Sequence, residues 1–151
     1  MSQADALFAV FEETRALFHR LKVVVEQIHK EGQMSGGLRG VMRSLLAEGP
    51  QTVPQMARAR PTSRQHIQVL VNRLLELDLV ELVDNPAHKR SRLVSLTPAG
   101  IKRIEAMNRR EAALLQEFPV GVSEKNLHST VRTLKKLREV FESDNWTELL
   151  D

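Results

Sequence analysis

No cysteine occurs among the 151 residues, so disulfide bridges, thiolate metal ligands and thiol-based oxidant sensing are all excluded. No apolar run approaches the ~20 residues of a membrane span, and no cationic segment leads into an apolar stretch and a small-residue cleavage site. A cytoplasmic location with no membrane partner is therefore expected. Catalytic signatures are missing as well. H-E-x-x-H, G-x-S-x-G and G-x-G-x-x-G do not occur, and the glycine-rich stretch at 31–37 lacks the Walker lysine, so it reads as a hinge or cap. The histidines, His19, His29, His66, His88 and His128, are scattered. Zinc sensing by His19 or His29 would need nearby glutamates, and isolated histidines are more often solvated or bonded to a carbonyl. The expectation is a chain that is not an enzyme and carries neither cofactor nor metal. Internal repeats and low-complexity segments are absent.

What is present is an uneven distribution of charge. The formal net charge is only +3, but from Pro54 to Leu75 the chain carries Arg58, Arg60, Arg64 and Arg73 and no acidic residue. Such a concentrated positive surface is drawn to phosphates. The hydrophobic fraction of 42% is ordinary for a globular protein. The length suits one domain, residues 1–151, able to stand alone or to finish burying itself in a dimer.

Two capped helices meet inside the basic stretch. Thr52-Val53-Pro54-Gln55 forms a capping box with proline in the first turn, and Val53, Met56 and Ala57 supply a buried side. Proline disfavours a helical conformation for the residue before it, so this helix ends near Arg60-Pro61. The next helix starts at Ser63, or at Thr62 with Gln65 in the return position of a capping box. Ile67, Leu70, Val71 and Leu74 fall at i, i+3, i+4 and i+7, which sets one apolar stripe against a core. Arg64, Gln65, Gln68, Asn72 and Arg73 are left on the opposite face. Arg matches guanine O6/N7, and Asn or Gln can pair with adenine N6/N7, so this face has the side chains of a major-groove reader. Taken by itself it also reads as a solvated amphipathic helix; the helix-turn-helix corner in front of it favours the reader.

Two short β-branched runs follow, 79–83 and 92–96, joined by Asn85-Pro86-Ala87-His88-Lys89-Arg90. Pro86 cannot donate to a strand ladder and belongs at the tip of a hairpin. Lys89, Arg90 and Arg92 cluster there. A basic hairpin beside a basic helix describes a winged helix-turn-helix, whose loop reaches a minor groove while the helix occupies the major one.

Ser63-Arg64-Gln65-His66-Ile67, Leu74-Leu75-Glu76-Leu77-Asp78-Leu79-Val80, Asn85-Pro86-Ala87-His88-Lys89-Arg90 and Leu96-Thr97-Pro98-Ala99-Gly100 resemble the MarR (multiple antibiotic resistance regulator) family of bacterial transcription factors. The likeness in layout covers roughly residues 5–142, with motif-level specificity in 52–100. The wing departs from the usual Asp-Pro-x-Asp-Arg-Arg: Asn85 and His88 replace the aspartates and Lys89 the first arginine. In the family the second aspartate commonly braces the wing arginines. The resemblance implies a homodimer on double-stranded DNA, and a small-molecule effector bound between the helical dimer frame and the reading unit. Phe18, Met42 and Arg43 are the candidates to face such a cavity.

The remaining segments are helical by period. Leu7, Val10, Phe11, Thr14, Leu17, Phe18, Leu21, Val24, Val25 and Ile28 give residues 4–30 a heptad stripe, more than one small domain needs at its N-terminus, and point to a subunit interface. A helix over 38–47 turns Leu38, Val41, Met42, Leu45 and Leu46 inward and stops at Gly49-Pro50. Thr97 caps another, with Pro98 in its first turn and Ile101, Ile104, Ala112, Leu115 and Phe118 on its buried side. Pro119 to Val122 interrupts it. A last helix from Ser123 lines up Leu127, Val131, Leu134, Leu137 and Phe141. Residues 145–151 show no clear pattern.

The expected fold is mainly α with a small β-hairpin wing (α+β). It is a winged helix-turn-helix unit at 38–100 between dimerisation helices at 4–30 and 101–142. The expected function is a homodimeric, sequence-specific transcription regulator, a repressor released from an inverted-repeat operator by an effector. Arg64, Gln65, Gln68 and Asn72 are the candidate base readers, and Arg60, Ser63 and Arg73 contact the DNA backbone. His66 and His88 sit near phosphate, and Lys89, Arg90 and Arg92 grip the flanking minor groove or its phosphates. The competing expectation is a winged-helix module that docks onto an acidic protein partner.

Overall fold

The computed structural model of the chain describes residues 1–32 and 34–150, so Gln33 of the glycine-rich break and Asp151 of the tail lie outside the described residues. Two compact units are present, Met1–Leu115 and a second from Gln116 onward.

The first unit opens with α1, Gln3–Ile28. The Asp5 amide donates to Ser2 Oγ at 3.1 Å while the Ser2 amide donates back to Asp5 Oδ2 at 2.9 Å, a closed capping box that starts the helix one residue ahead of the expected 4. Donation by the Ser2 hydroxyl and then by its amide holds the Asp5 carboxyl below its ordinary value. None of the 26 residues of α1 is buried. Leu7, Val10, Phe11, Val25 and Ile28 are half-covered, whereas Leu17, Phe18, Leu21 and Val24 face solvent.

Helix α2, Gly36–Glu48, begins earlier than periodicity suggested. Ser35 accepts from the Leu38 amide at 3.3 Å, and this cap carries Gly36 and Gly37 into the first turn, so these two glycines begin a helix rather than separate two. Leu38, Val41, Met42 and Leu45 are buried as expected, but Leu46 is on the outer side and exposed. Helix α3, Val53–Ala59, has the Thr52/Gln55 capping box, with bonds of 2.8 and 3.2 Å. Helix α4, Arg64–Glu76, takes Ser63 rather than Thr62 as its cap, accepting from the His66 amide at 3.0 Å. Its Ile67, Val71 and Leu74 meet Val41, Met42 and Met56 in one buried cluster.

The end of α4 fixes where the wing starts. The Leu79 amide donates to Leu74 O at 3.0 Å and the Asp78 amide to Leu75 O at 3.1 Å, with Asp78 left-handed at φ 55°. This is a Schellman termination with aspartate where glycine is usual. Strands β1, Val80–Val83, and β2, Leu93–Leu96, pair antiparallel from Val80↔Leu96 to Val83↔Leu93. Gln51 adds a short third edge that no local pattern announced, exchanging backbone bonds of 3.1 and 2.7 Å with Val94.

Helix α5, Pro98–Glu117, is tied to the wing by Thr97, whose hydroxyl donates to Asp78 O at 2.7 Å and accepts from the Gly100 amide at 3.0 Å. A Cβ at Gly100 would collide with the Leu79 carbonyl, which accounts for the glycine in Leu96-Thr97-Pro98-Ala99-Gly100. The expected buried side of α5 needs correction. Ile104 is buried and joined by Met107, but Ile101, Ala112 and Leu115 are exposed.

In the second unit Phe118 is exposed, and α6, Glu124–Glu142, is capped by Ser123, which accepts from the Asn126 amide at 3.2 Å. No residue of α6 is buried. Where the sequence shows no clear pattern a 3-10 helix spans Asp144–Leu149, Trp146 Nε1 donates to Phe141 O at 3.2 Å, and the two rings meet edge-on at 6.2 Å.

Candidate nucleic-acid interface

Burial of Ile67, Val71 and Leu74 leaves α4 one free face, and every polar residue expected on it, Arg64, Gln65, Gln68, Asn72 and Arg73, is exposed, as is His66. Gln68 Nε2 donates to Asn72 Oδ1 at 2.9 Å, so the two amides form an i,i+4 pair along the helix. Arg73 is paired with Glu76 at 2.9 Å, while Arg64, Gln65 and His66 have no side-chain partner among the described residues. Ser63 uses its hydroxyl as the cap. The N-terminal end of α4 therefore offers free cationic and amide groups beside a helix terminus that favours anions.

In the wing, Asn85 holds the loop. Asn85 Nδ2 donates to Ser91 O at 3.0 Å and Asn85 Oδ1 accepts from the Ala87 amide at 3.1 Å, so one side chain both closes the loop base and shapes its turn. Arg92 folds inward. Its Nη2 donates to Leu82 O at 3.1 Å and its Nε lies 3.9 Å from Asp84. Lys89 and Arg90 remain exposed, with no partner among the described residues. All three wing cations are exposed, but one is bonded to the hairpin and two have no partner among the described residues.

Arg60 is placed apart from the α4 face. Its guanidinium lies against α2, where a Cβ at Gly40 would collide with it. There it borders a groove of about 730 Å³ lined also by Arg39, Arg43, Glu48, Gln51 and Gln55. Arg39 is buried, is ion-paired to Glu111, and keeps its Nε without a partner among the described residues. Burial lowers the Arg39 pKa, Glu111 acts to raise it, and the neighbouring Arg43 charge lowers it again. Arg43 shares this groove, whereas Met42 is sealed in the core and Phe18 is exposed on α1. Sequence reading missed Arg39 and Glu111. The available signal was Gly36, Gly40, Arg39 and Arg43 at helical spacing on one side of α2. Among the described residues no three His, Asp or Glu side chains lie close enough to hold a metal ion, and no helix is long and apolar enough to cross a membrane.

A capped helix pair with an exposed polar reading face, followed by a two-stranded basic wing, defines a winged helix-turn-helix protein. Comparison with known proteins agrees. A sequence model of the MarR family matches residues 40–91. An uncharacterized protein of Mycobacterium tuberculosis, Rv2011c, is 30% identical over 99 residues, 66% of this chain and 69% of its own length. The crystal structure of the MarR family transcription regulator SP03579 has a TM-score of 0.77 at 28% identity, covering 93% of each chain. The fold is also that of a mutant Escherichia coli MarR crystallised with operator DNA, with a TM-score of 0.74, 17% identity, and 91% and 99% of the two chains covered. The chain belongs to the MarR family, whose members are DNA-binding transcription regulators.

Proposed function

We propose that the protein acts as a homodimer on an inverted-repeat operator. One α4 from each protomer enters successive major grooves about 10 bp apart. The observation that carries this reading is the free face of α4, where Arg64, Gln65, Gln68 and Asn72 stand exposed opposite a fully buried stripe. Those four read bases, Ser63, His66 and Arg73 lie along the phosphates, and Lys89 and Arg90 reach the flanking minor groove. Arg92 holds the wing in shape for them.

Dimerisation is supported by uncovered apolar surface. Phe8, Phe18 and Leu17 of α1 are 68%, 60% and 56% exposed, and Val131 and Phe141 of α6 are exposed too. Large apolar side chains exposed in this number along two helices are more than solvation of those helices requires. Repression follows from occupancy of the operator. Its release is assigned to an anionic effector in the groove of Arg39, Arg43 and Arg60, because three guanidinium groups outnumber the carboxylates of Glu48 and Glu111 and leave positive charge for a ligand. An effector that prefers the spacing of the two α4 helices unsuited to the operator shifts the dimer away from DNA. In this scheme Arg60 belongs to the effector groove rather than to the DNA backbone.

The test is selection from randomised duplexes at physiological salt with the whole chain. The expected result is a two-fold symmetric motif. A chain that enriches no sequence is a protein-docking module instead, and the proposal falls.

A further inference from the structure

Residues 36–97 leave few large apolar side chains uncovered. Leu46, Leu77 and Leu82 are 37%, 39% and 37% exposed, barely out of the core, but Val69 stands at 60%. At ~100° per residue, Val69 falls opposite Ile67, Val71 and Leu74, at the centre of the free face and one turn from Gln65. A β-branched residue is a mediocre helix former, and a merely solvated position is better filled by Lys, Glu, Gln or Ala. Val69 therefore sits where helix propensity and solvation both disfavour it.

Its neighbours keep it accessible. The Gln68–Asn72 hydrogen bond of 2.9 Å runs from the residue before Val69 to the residue three beyond it, restraining both amides along one flank. Gln65, His66, Asn72 and Arg73, its i−4, i−3, i+3 and i+4 neighbours on the helix, ring it with polar groups, and no second uncovered apolar residue of α4 joins it. A protein-binding hot spot gathers several anchors in one patch; a single isopropyl group ringed by polar side chains matches a smaller target. In the major groove the apolar group on display is the C5-methyl of thymine.

We infer that Val69 is a specificity-determining residue of α4, its isopropyl group meeting the C5-methyl of one thymine in each half-site. This rests on the DNA-reading role proposed for α4 and adds a base identity to it. Gln68 and Asn72, tied to each other, address the base pairs on one side of that thymine through their remaining donors and acceptors.

The experiment starts from the operator that the parent chain selects. Each thymine is replaced singly by deoxyuridine, which removes only the methyl group, and affinities are read by fluorescence anisotropy for the parent and for Val69→Ala. The expected result is one thymine per half-site whose methyl is worth about fourfold in affinity to the parent and nothing to Val69→Ala. Equal penalties in the two proteins, or a parent indifferent to every replacement, overturn the inference while leaving DNA reading by α4 intact. Failure of the parent to select any motif removes that reading itself, and the inference with it.

Discussion

His29 Nε2 donates to Glu111 Oε1 across 2.5 Å, joining residues 82 positions apart and tying the end of α1 to α5. The other oxygen of Glu111 accepts from Arg39 of α2. One carboxylate thus connects a helix with an uncovered apolar face, the helix behind the reading unit and the helix leading out of the wing.

Removing the carboxylate should be costly because it leaves a buried guanidinium uncompensated. Glu111→Ala is expected to destabilise the chain by about 3 kcal/mol, the low end for a broken buried pair, since the groove lets water reach part of Arg39. That corresponds to a melting temperature ~6–12 °C lower for a chain of this size. His29→Ala removes one hydrogen bond and leaves the Arg39–Glu111 pair, so its effect is smaller. Thermal unfolding of the three proteins checks the order, and a Glu111→Ala chain melting with the parent would show the joint to be unimportant.

The wing cations should behave differently from one another. Arg90→Ala is expected to weaken operator binding and to make the salt slope shallower by about one unit, as removal of a single phosphate-neutralising charge requires, without altering the fold. Arg92→Ala releases the Leu82 carbonyl and Asp84, so its main signature is a disturbed hairpin, visible as shifted amide resonances from 80 to 96. A salt titration in which Arg90→Ala retains the parent slope would remove Arg90 from the interface.

The division between what was legible in the residues and what was not has physical causes. Thr52/Gln55, Ser63 and Thr97 mark helix starts by local chemistry alone, and the spacing of Ile67, Val71 and Leu74 sets which face of α4 is free, so the reading unit could be read from short windows. Leu17, Phe18 and Leu21 show the limit of periodicity, which reports that a face is apolar but not whether its own chain covers it. Ile101 and Leu115 were expected to be buried for the same reason. Arg39, Glu111 and His29 meet through pairings of 72 and 82 residues, and Gln51 finds Val94 across 43 positions. No local pattern encodes such distances. Nor does any local pattern show that the Arg60 guanidinium lies where Gly40 has no side chain.

Arg60 and Arg64, four residues apart, provide a direct contrast. Arg64→Ala is expected to weaken operator binding about 5- to 150-fold, the range of a guanidinium contact to a base edge. Arg60→Ala should leave operator affinity and its salt slope unchanged, yet blunt the release of DNA by a small carboxylate such as benzoate. Gly40→Ala, which displaces the Arg60 guanidinium, should reproduce the Arg60→Ala behaviour. Gel retardation with and without benzoate distinguishes them. Loss of operator binding in Arg60→Ala would return that residue to the phosphates.

Asp78 holds the junction between α4 and β1 at φ 55°, where a side chain with a Cβ carries a cost of about 1–2 kcal/mol that aspartate partly relieves through its short polar group. Its carbonyl also accepts from Thr97 at 2.7 Å, so the same residue sets the start of α5. Asp78→Gly removes the Cβ without touching those backbone bonds, and the gain is partly offset by the greater freedom of glycine in the unfolded chain. Asp78→Val combines β-branching with a left-handed backbone and loses the polar group. The expected order of stability is Gly equal to or above Asp, with Val lower by about 1–2 kcal/mol. Urea unfolding reads that order directly. Because the junction aims the wing relative to α4, Asp78→Val should also weaken operator binding more than its loss of stability accounts for, while Asp78→Gly binds as the parent does. A valine variant that matches the parent in both measurements would mean the chain relaxes out of the left-handed turn without cost to the interface.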